Sequence, residues 1–374
     1  MLSVWKTLPF PKYLLPIAPL AVVLYFAGIG SPLLHFAVAG VAILALVIVI
    51  GAATEEVAIR LGPVWGGLLN ATFGNVTELI IALIALSHGA HQVLRASLTG
   101  SILGNMLLLL GVSMVVGGAR HKTQTFGRTG ASASIGMLAL TLFALLIPSV
   151  MVFIPALDPA LEAFPEGTVE NLSLSVSIIL LCIYGLHLVF SLVTHRFTYR
   201  TDEGAHEEPR WSLGAAIGTL VTTVVLVALC SDVFVASIDQ MLDAGTLPMS
   251  EMFVGVVVVA VVGNAAEGSV AIVAAAKNKM ELAFQVAMSS AIQIALLVAP
   301  LLVMASYFIG PMPLTLVFNP FELLAIWAGV LIASFTLQDG ESNWFEGAML
   351  VAVYVAFAVV FWVHPDSGLH VQPP

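Results

Sequence analysis

Apolar runs of about 20 residues, separated by short polar interruptions, recur along the whole chain. A helix of that length crosses the hydrocarbon core of a bilayer. Eleven stretches qualify: 13–29, 32–53, 64–87, 93–117, 129–148, 171–194, 212–231, 252–276, 282–308, 320–337 and 343–363. The pattern predicts an all-α integral membrane protein with eleven transmembrane helices. The longest interruptions, 149–170, 195–211 and 232–251, leave no room for a soluble domain.

Basic residues orient these spans. With the N-terminus in the cytoplasm, that side receives Lys6, Lys12, Arg60, Arg120, Lys122, Arg128, Arg196, Arg200, Arg210, Lys277 and Lys279, and only Arg95 falls outside. Eleven against one is the bias expected of loops that stay in the cytoplasm, so the reading is N-inside and C-outside. The two long external loops carry Asp158, Glu162, Glu166, Glu170, Asp232, Asp239, Asp243 and Glu251 without a Lys or Arg. A solvated face explains them, and an acidic mouth also raises the local cation concentration.

Composition agrees. Hydrophobic residues make up 60% of the 374, charged residues 9%, and mean hydropathy is +1.05, too little charge to cover a soluble surface. No N-terminal stretch reads as a cleaved signal, which suggests a prokaryotic plasma membrane. Cys182 and Cys230 lie in apolar runs and read as packing residues.

Sliding the sequence against itself by 189 residues aligns Gly74 with Gly263, Asn75 with Asn264, Glu78 with Glu267, Ala82 with Ala271, Ala85 with Ala274 and Ser101 with Ser290. Apolar matches are cheap in such a chain, whereas Gly, Asn, Glu and Ser at one offset are not. The unit is five spans, preceded by one extra helix. The division is 1–31 for the N-terminal segment, 32–194 and 212–363 for the two repeats, 195–211 for an acidic cytoplasmic linker and 364–374 for the tail. Five is odd, so the halves enter the membrane from opposite sides, the inverted plan of secondary transporters with a site near the midplane.

Glu78 is the only charged residue in 64–87, and Glu267 the only one in 252–276. A carboxylate at mid-bilayer costs about 2.5–3.5 kcal/mol on insertion scales, which marks both as working groups facing an interior cavity. In Gly-Asn-x-x-Glu the Asn and Glu share one helix face. Gly74 and Gly263 weaken the helix there and can free backbone carbonyls. With Asn75 and Asn264 this is a set of hard oxygen donors, suited to Ca²⁺. Ser101, Asn105, Ser289, Ser290 and Gln293 add polar groups on otherwise apolar helices. Burial favours the neutral carboxylic acid and a bound divalent ion favours the carboxylate, so such a site holds protons or metal in turn. The bland alternative is that Asn-Glu pairs are interhelical glue.

At these residues the chain resembles the CAX-type calcium/proton antiporters of the cation/calcium exchanger superfamily. The likeness rests on "AATEEVAIRLGPVWGGLLNATFGNVTELIIALIAL" (52–86), "GNAAEGSVAIVAAAKNKMELAFQVAMSSAIQIALLVAP" (263–300), "LVTHRF" (192–197) and "DGESNWFEGAML" (339–350). It implies Ca²⁺ and H⁺ as substrates held in alternation by Glu78 and Glu267, with Asn75 and Asn264 lining the site. It also implies a regulatory or cation-contacting acidic segment at "TDEGAHEEPR" (201–210), where a solvated linker is the plain alternative. Two departures stand out. Gly268 follows Glu267 where the family often has His, so no proton-relay role transfers, and Ser289-Ser290 stands where relatives have Gly-Ser.

Glu55 and Glu56 end the second span on the cytoplasmic side, as helix-end charges or as a cation access point. His187 reads as a packing residue, Glu322 and Glu346 as helix-start charges, and Pro300 as a kink. The expected activity is exchange of cytosolic Ca²⁺ for external H⁺. A Na⁺ or K⁺/H⁺ exchanger of the same architecture and a cation channel are the alternatives. No enzyme motif, cofactor or nucleic-acid partner is expected, the lipid bilayer is the surroundings, and homo-oligomerisation stays open.

Overall fold

The computed structural model describes residues 13–157, 164–165, 167–194, 209–247 and 249–363. Lys6, Lys12, Asp158, Glu162, Glu166, Arg196, Arg200, the linker as far as residue 208 and the tail 364–374 lie outside the described residues, and so does the reading of the acidic segment apart from its last two positions.

The regular structure of the described residues is helical apart from one two-residue antiparallel pair, β1 (Gln124–Thr125) with β2 (Glu341–Ser342). The helices are α1 (Ile17–Phe26), α2 (Pro32–Phe73), α3 (Val76–Ser87), α4 (His91–Gly118), α5 (Arg128–Leu157), α6 (Thr168–Thr194), α7 (Leu213–Asp243), α8 (Glu251–Gly263), α9 (Ala265–Ala276), α10 (Met280–Ala305), α11 (Pro320–Thr336) and α12 (Trp344–Val363). Seven of them contain a stretch long and apolar enough to cross a membrane. The α8–α9 pair makes an eighth if it is one span broken by a 62° bend. The remaining three, α1, α3 and α11, are apolar but shorter.

Local chemistry sets several ends. The Ser212 and Ser250 hydroxyls accept the backbone N–H groups of Ala215 and Phe253 at the starts of α7 and α8. Asn319 and Glu322 form a capping box at α11, with Pro320 in its first turn. A run of helix continues through α2 into the region predicted as the third span, yet it is no straight rod. A Cβ at Gly66 would stand 2.6 Å from the Ala58 carbonyl oxygen. Eight residues of straight helix rise about 12 Å, so the chain doubles back between them.

Two predicted loops are corrected. Helix α5 runs on to Leu157 and α7 to Asp243, so much of 149–170 and 232–251 is helix. In α7 the reason is burial: Val233, Phe234, Val235, Ile238 and Met241 are in the core although acidic residues sit among them. Pro300 is accommodated by a π-helical turn at Ile294–Val298 just before it.

The core is built around α4 and α10, 78% and 72% buried over their most apolar windows, against 22–33% for α5, α6, α7 and α12. These two central helices begin 189 residues apart, as α3 and α9 do. Their π-helical turns, Gly104–Leu109 and Ile294–Val298, also correspond closely at that offset. Glycines let backbones touch: a Cβ at Gly100 would strike the Val256 carbonyl, and one at Gly255 the Ala96 side chain.

Loops gather at two ends. One end joins Arg60 and Glu56 to residues 210–211 and Gln124 to Asn278. The other joins His88 to Asp232 and Asp239, and Ser250 to the Phe361 carbonyl.

Candidate cation site

Both Gly-Asn steps are helix breaks. Asn75 (φ −102°, ψ 19°) separates α2 from α3, and Asn264 (φ −80°, ψ 10°) separates α8 from α9. Neither Asn caps the new helix with its side chain. Glu78 and Glu267 each fall in the first turn of the helix that restarts, where the positive end of the helix dipole favours an anionic group. The freed amides go elsewhere. Asn75 Nδ2 donates to Gln293 Oε1, and Ser290 Oγ donates to Asn75 Oδ1 over 2.8 Å. Asn105 Nδ2 donates to Ser290 Oγ over 2.9 Å. Asn264 Nδ2 reaches the Ser101 carbonyl at 3.5 Å. Each Asn therefore meets the helix bearing the other half's serine.

The carboxylates stand between these breaks. A Cβ at Gly263 would lie 3.1 Å from Glu78 Cγ and 3.2 Å from its Oε1, so Glu78 packs directly on the opposite break. Glu78 and Glu267 are within electrostatic reach of one another. Neither Glu78 oxygen has a hydrogen-bond partner among other described residues, and the same holds for Glu267 Oε2, Asn105 Oδ1, Asn264 Oδ1 and Thr54 Oγ1. All six atoms are buried. Leaving a buried acceptor unmet costs about 1–3 kcal/mol, so a cluster of such oxygens is arranged for something that supplies positive charge or protons. An all-oxygen set with two carboxylates matches one hard divalent cation or two protons.

A cavity of about 130 Å³ lies beside Glu267, walled by Val47, Ile50, Gly51 and Thr54 of α2, by Phe73, Gly74 and Thr77, and by Ala266. Sequence reasoning placed Gly74 here but missed Gly51, Thr54 and Thr77. The available signal was the small-residue run "GAAT" and a lone hydroxyl inside "GNVTE".

Of the residues singled out from sequence, Asn75, Glu78, Asn105, Ser290 and Gln293 are joined or adjoining, and Gly263, Asn264, Ser101 and Glu267 complete the cluster. Ser289 is half-buried on α10 beside this network. Gly268 faces Leu109, whose Cδ1 would be 3.6 Å from an added Cβ. Glu55 is exposed, and Glu56 is not in the cluster. Its carboxylate accepts the backbone N–H groups of Arg210 (3.1 Å) and Trp211 (3.0 Å) and pairs with Arg60 at 3.8 Å. Glu322 is buried in its capping box and accepts from Thr99 Oγ1 at 3.3 Å.

The chain is similar to known proteins over most of its length. The family described as sodium/calcium exchanger protein matches residues 31–193 and again 215–363. A "Ca(2+)/H(+) antiporter ChaA" of Bacillus subtilis is 43% identical over 334 residues, covering 88% of this chain and 92% of that one. A "Ca(2+)/H(+) antiporter" of Aphanothece halophytica is 40% identical over 345 residues, covering 88% and 90%. Among solved structures, native YfkE superposes with a TM-score of 0.79 at 37% identity, covering 95% of this chain and all of that one.

Proposed function

The chain belongs to the sodium/calcium exchanger protein family, and from that membership we propose that it exchanges Ca²⁺ for H⁺ as a secondary transporter, with Glu78 and Glu267 holding cation and protons in turn. The observation that carries this is the set of unpaired buried oxygens between two helix breaks. Two ionised carboxylates close together repel, and either one divalent ion or two protons removes that charge. Antiport follows because the two cargoes compete for the same oxygens, and no separate proton site is needed.

The finer architecture is part of the same proposal: eleven spans, one preceding two inverted five-helix repeats, N-inside and C-outside, in a prokaryotic plasma membrane. Several features support it. The family matches the two halves separately, and α3 and α4 correspond to α9 and α10 at one offset. Contacts at the helix ends agree with that division: Glu56 with 210–211 and Gln124 with Asn278 on the side assigned to the cytoplasm, and His88 with Asp232 on the other. The named relatives include bacterial proteins. The cavity beside Glu267 runs toward Thr54, next to Glu55, which is the cytoplasmic side in this orientation. Ca²⁺ loads there, the halves rearrange, and external protons displace it. Glu56 ties down the end of the linker.

The test uses inside-out vesicles with an imposed proton gradient, following radiolabelled calcium uptake and gradient collapse together. Wild type takes up calcium only with the gradient and consumes it, and neither Glu78→Gln nor Glu267→Gln does so. Exchange by either variant at the wild-type rate would overturn the two-glutamate mechanism. Gradient consumption by Na⁺ or K⁺ in place of Ca²⁺ would overturn the substrate assignment.

A further inference from the structure

Far from the cation site, His88 closes the C-terminal end of α3, the helix whose first turn carries Glu78. Its ring lies between two carboxylates of α7. Nδ1 is 3.0 Å from Asp239 Oδ2, and Nε2 is 3.1 Å from Asp232 Oδ1. Asp232 and Asp239 are seven residues apart, hence on one helix face about two turns from each other. A neutral imidazole has one N–H and one bare lone pair, so one of these contacts would set a lone pair against a carboxylate. Only the doubly protonated ring donates to both. Its single positive charge then faces two negative ones, at a helix C-terminus that also favours a cation.

We propose that His88 is a proton-binding site separate from the transport site, a clamp that fastens the outer end of the Glu78 helix to α7 while the ring holds both protons. The part-exposed ring is open to the solution on the side assigned to the exterior. The charged and titratable groups around it are few. On α7 they are Asp232, Asp239 and Asp243, the last acting on Asp239. On α4 they are His91 and Arg95, and on α2 His35, which is bonded to the Ile29 carbonyl. The parts of α8 and α10 packed on α3 present none. Arg95 adds positive charge on α4, whereas among the described residues only α7 offers carboxylates in contact with the ring.

The clamp bears on exchange because α3 is a single 12-residue helix, about 18 Å long and stiff. Holding its His88 end limits how its Glu78 end can tilt. The hold loosens when the ring gives up one of its two protons, because a bare lone pair then faces a carboxylate.

The experiment reads distance, so it stands or falls apart from transport activity. Cys182 and Cys230 are replaced by alanine, and spin labels are placed at Ser87→Cys and Ala244→Cys, both exposed positions, in the full chain in lipid nanodiscs without calcium. Pulsed dipolar spectroscopy compares about pH 6 with about pH 8.5. The expected result is a narrow distance distribution at the lower pH that broadens at the higher. His88→Gln, and separately the pair Asp232→Asn with Asp239→Asn, lose this response. A distribution that does not change with pH overturns the clamp, and so does the same change persisting in either variant.

Discussion

Replacing Gly263 by alanine tests whether backbone-to-carboxylate contact sets the cation site. The added Cβ would stand 3.1 Å from Glu78 Cγ, 3.2 Å from Oε1 and 3.3 Å from Cδ. Comfortable carbon–carbon separation starts near 3.5 Å, so the groups must part by about 0.3–0.4 Å. The end of α8 is held by helix bonds, including Asn264 N–H to the Ala260 carbonyl at 3.0 Å, so the carboxylate yields. Overpacking of this kind costs about 1–3 kcal/mol, and the helix preference of Ala over Gly returns at most about 1. Taking the middle of that cost, about 2 kcal/mol, a remainder of about 1 kcal/mol falls on the position of Glu78, a factor of roughly 5 in an equilibrium constant. The assay is the calcium concentration giving half-maximal proton-driven uptake in inside-out vesicles, with thermal unfolding measured in parallel. That concentration should rise by about 5-fold while the protein stays folded. Gly136→Ala, inside α5 and with nothing within 4 Å of the new carbon, should leave the calcium concentration unchanged and the thermal midpoint equal or higher. Wild-type half-saturation in folded Gly263→Ala would refute the argument.

Ser290→Ala removes both the acceptor for Asn105 and the donor to Asn75, each buried. The thermal midpoint should fall by the equivalent of about 1–3 kcal/mol, and half-saturating calcium should rise. Glu56→Gln leaves only one carbonyl oxygen for the two backbone N–H groups of Arg210 and Trp211. It should lower the thermal midpoint without moving half-saturating calcium, and the opposite pattern would return Glu56 to a role in cation access. Gly111→Ala would set a carbon 2.9 Å from the Gly347 carbonyl oxygen and force α4 from α12, so folded yield and midpoint should drop, as size-exclusion and thermal scans would register.

Much of the fold was legible because bilayer insertion is a local demand. Each span must be apolar over its own length, and each charge must be placed on one side or the other, which composition along the chain records directly. Glu78 and Glu267 stood out for the same reason. Legibility failed where burial comes from neighbours distant in sequence. The acidic stretch after residue 231 reads as a loop, yet α7 continues to Asp243 because Phe234, Ile238 and Met241 pack into the core. Glu56 reads as a free helix-end charge, yet it binds backbone 154 and 155 residues away.

By itself, then, the sequence determined the helical membrane class, the repeated Gly-Asn-x-x-Glu and the candidate carboxylates, since periodicity, spacing and charge are properties of neighbouring residues. Only the tertiary structure decided which polar atoms find partners. It gives Ser290 to Asn75 and Asn105, leaves the Glu78 oxygens without a partner among the other described residues, brings Gly51 and Thr54 to the cavity beside Glu267, and seats His88 between two carboxylates of α7. The physical reason is that hydrogen bonding and close contact act over a few ångströms between chains of atoms more than a hundred residues apart, and their geometry exists only once the helices have packed.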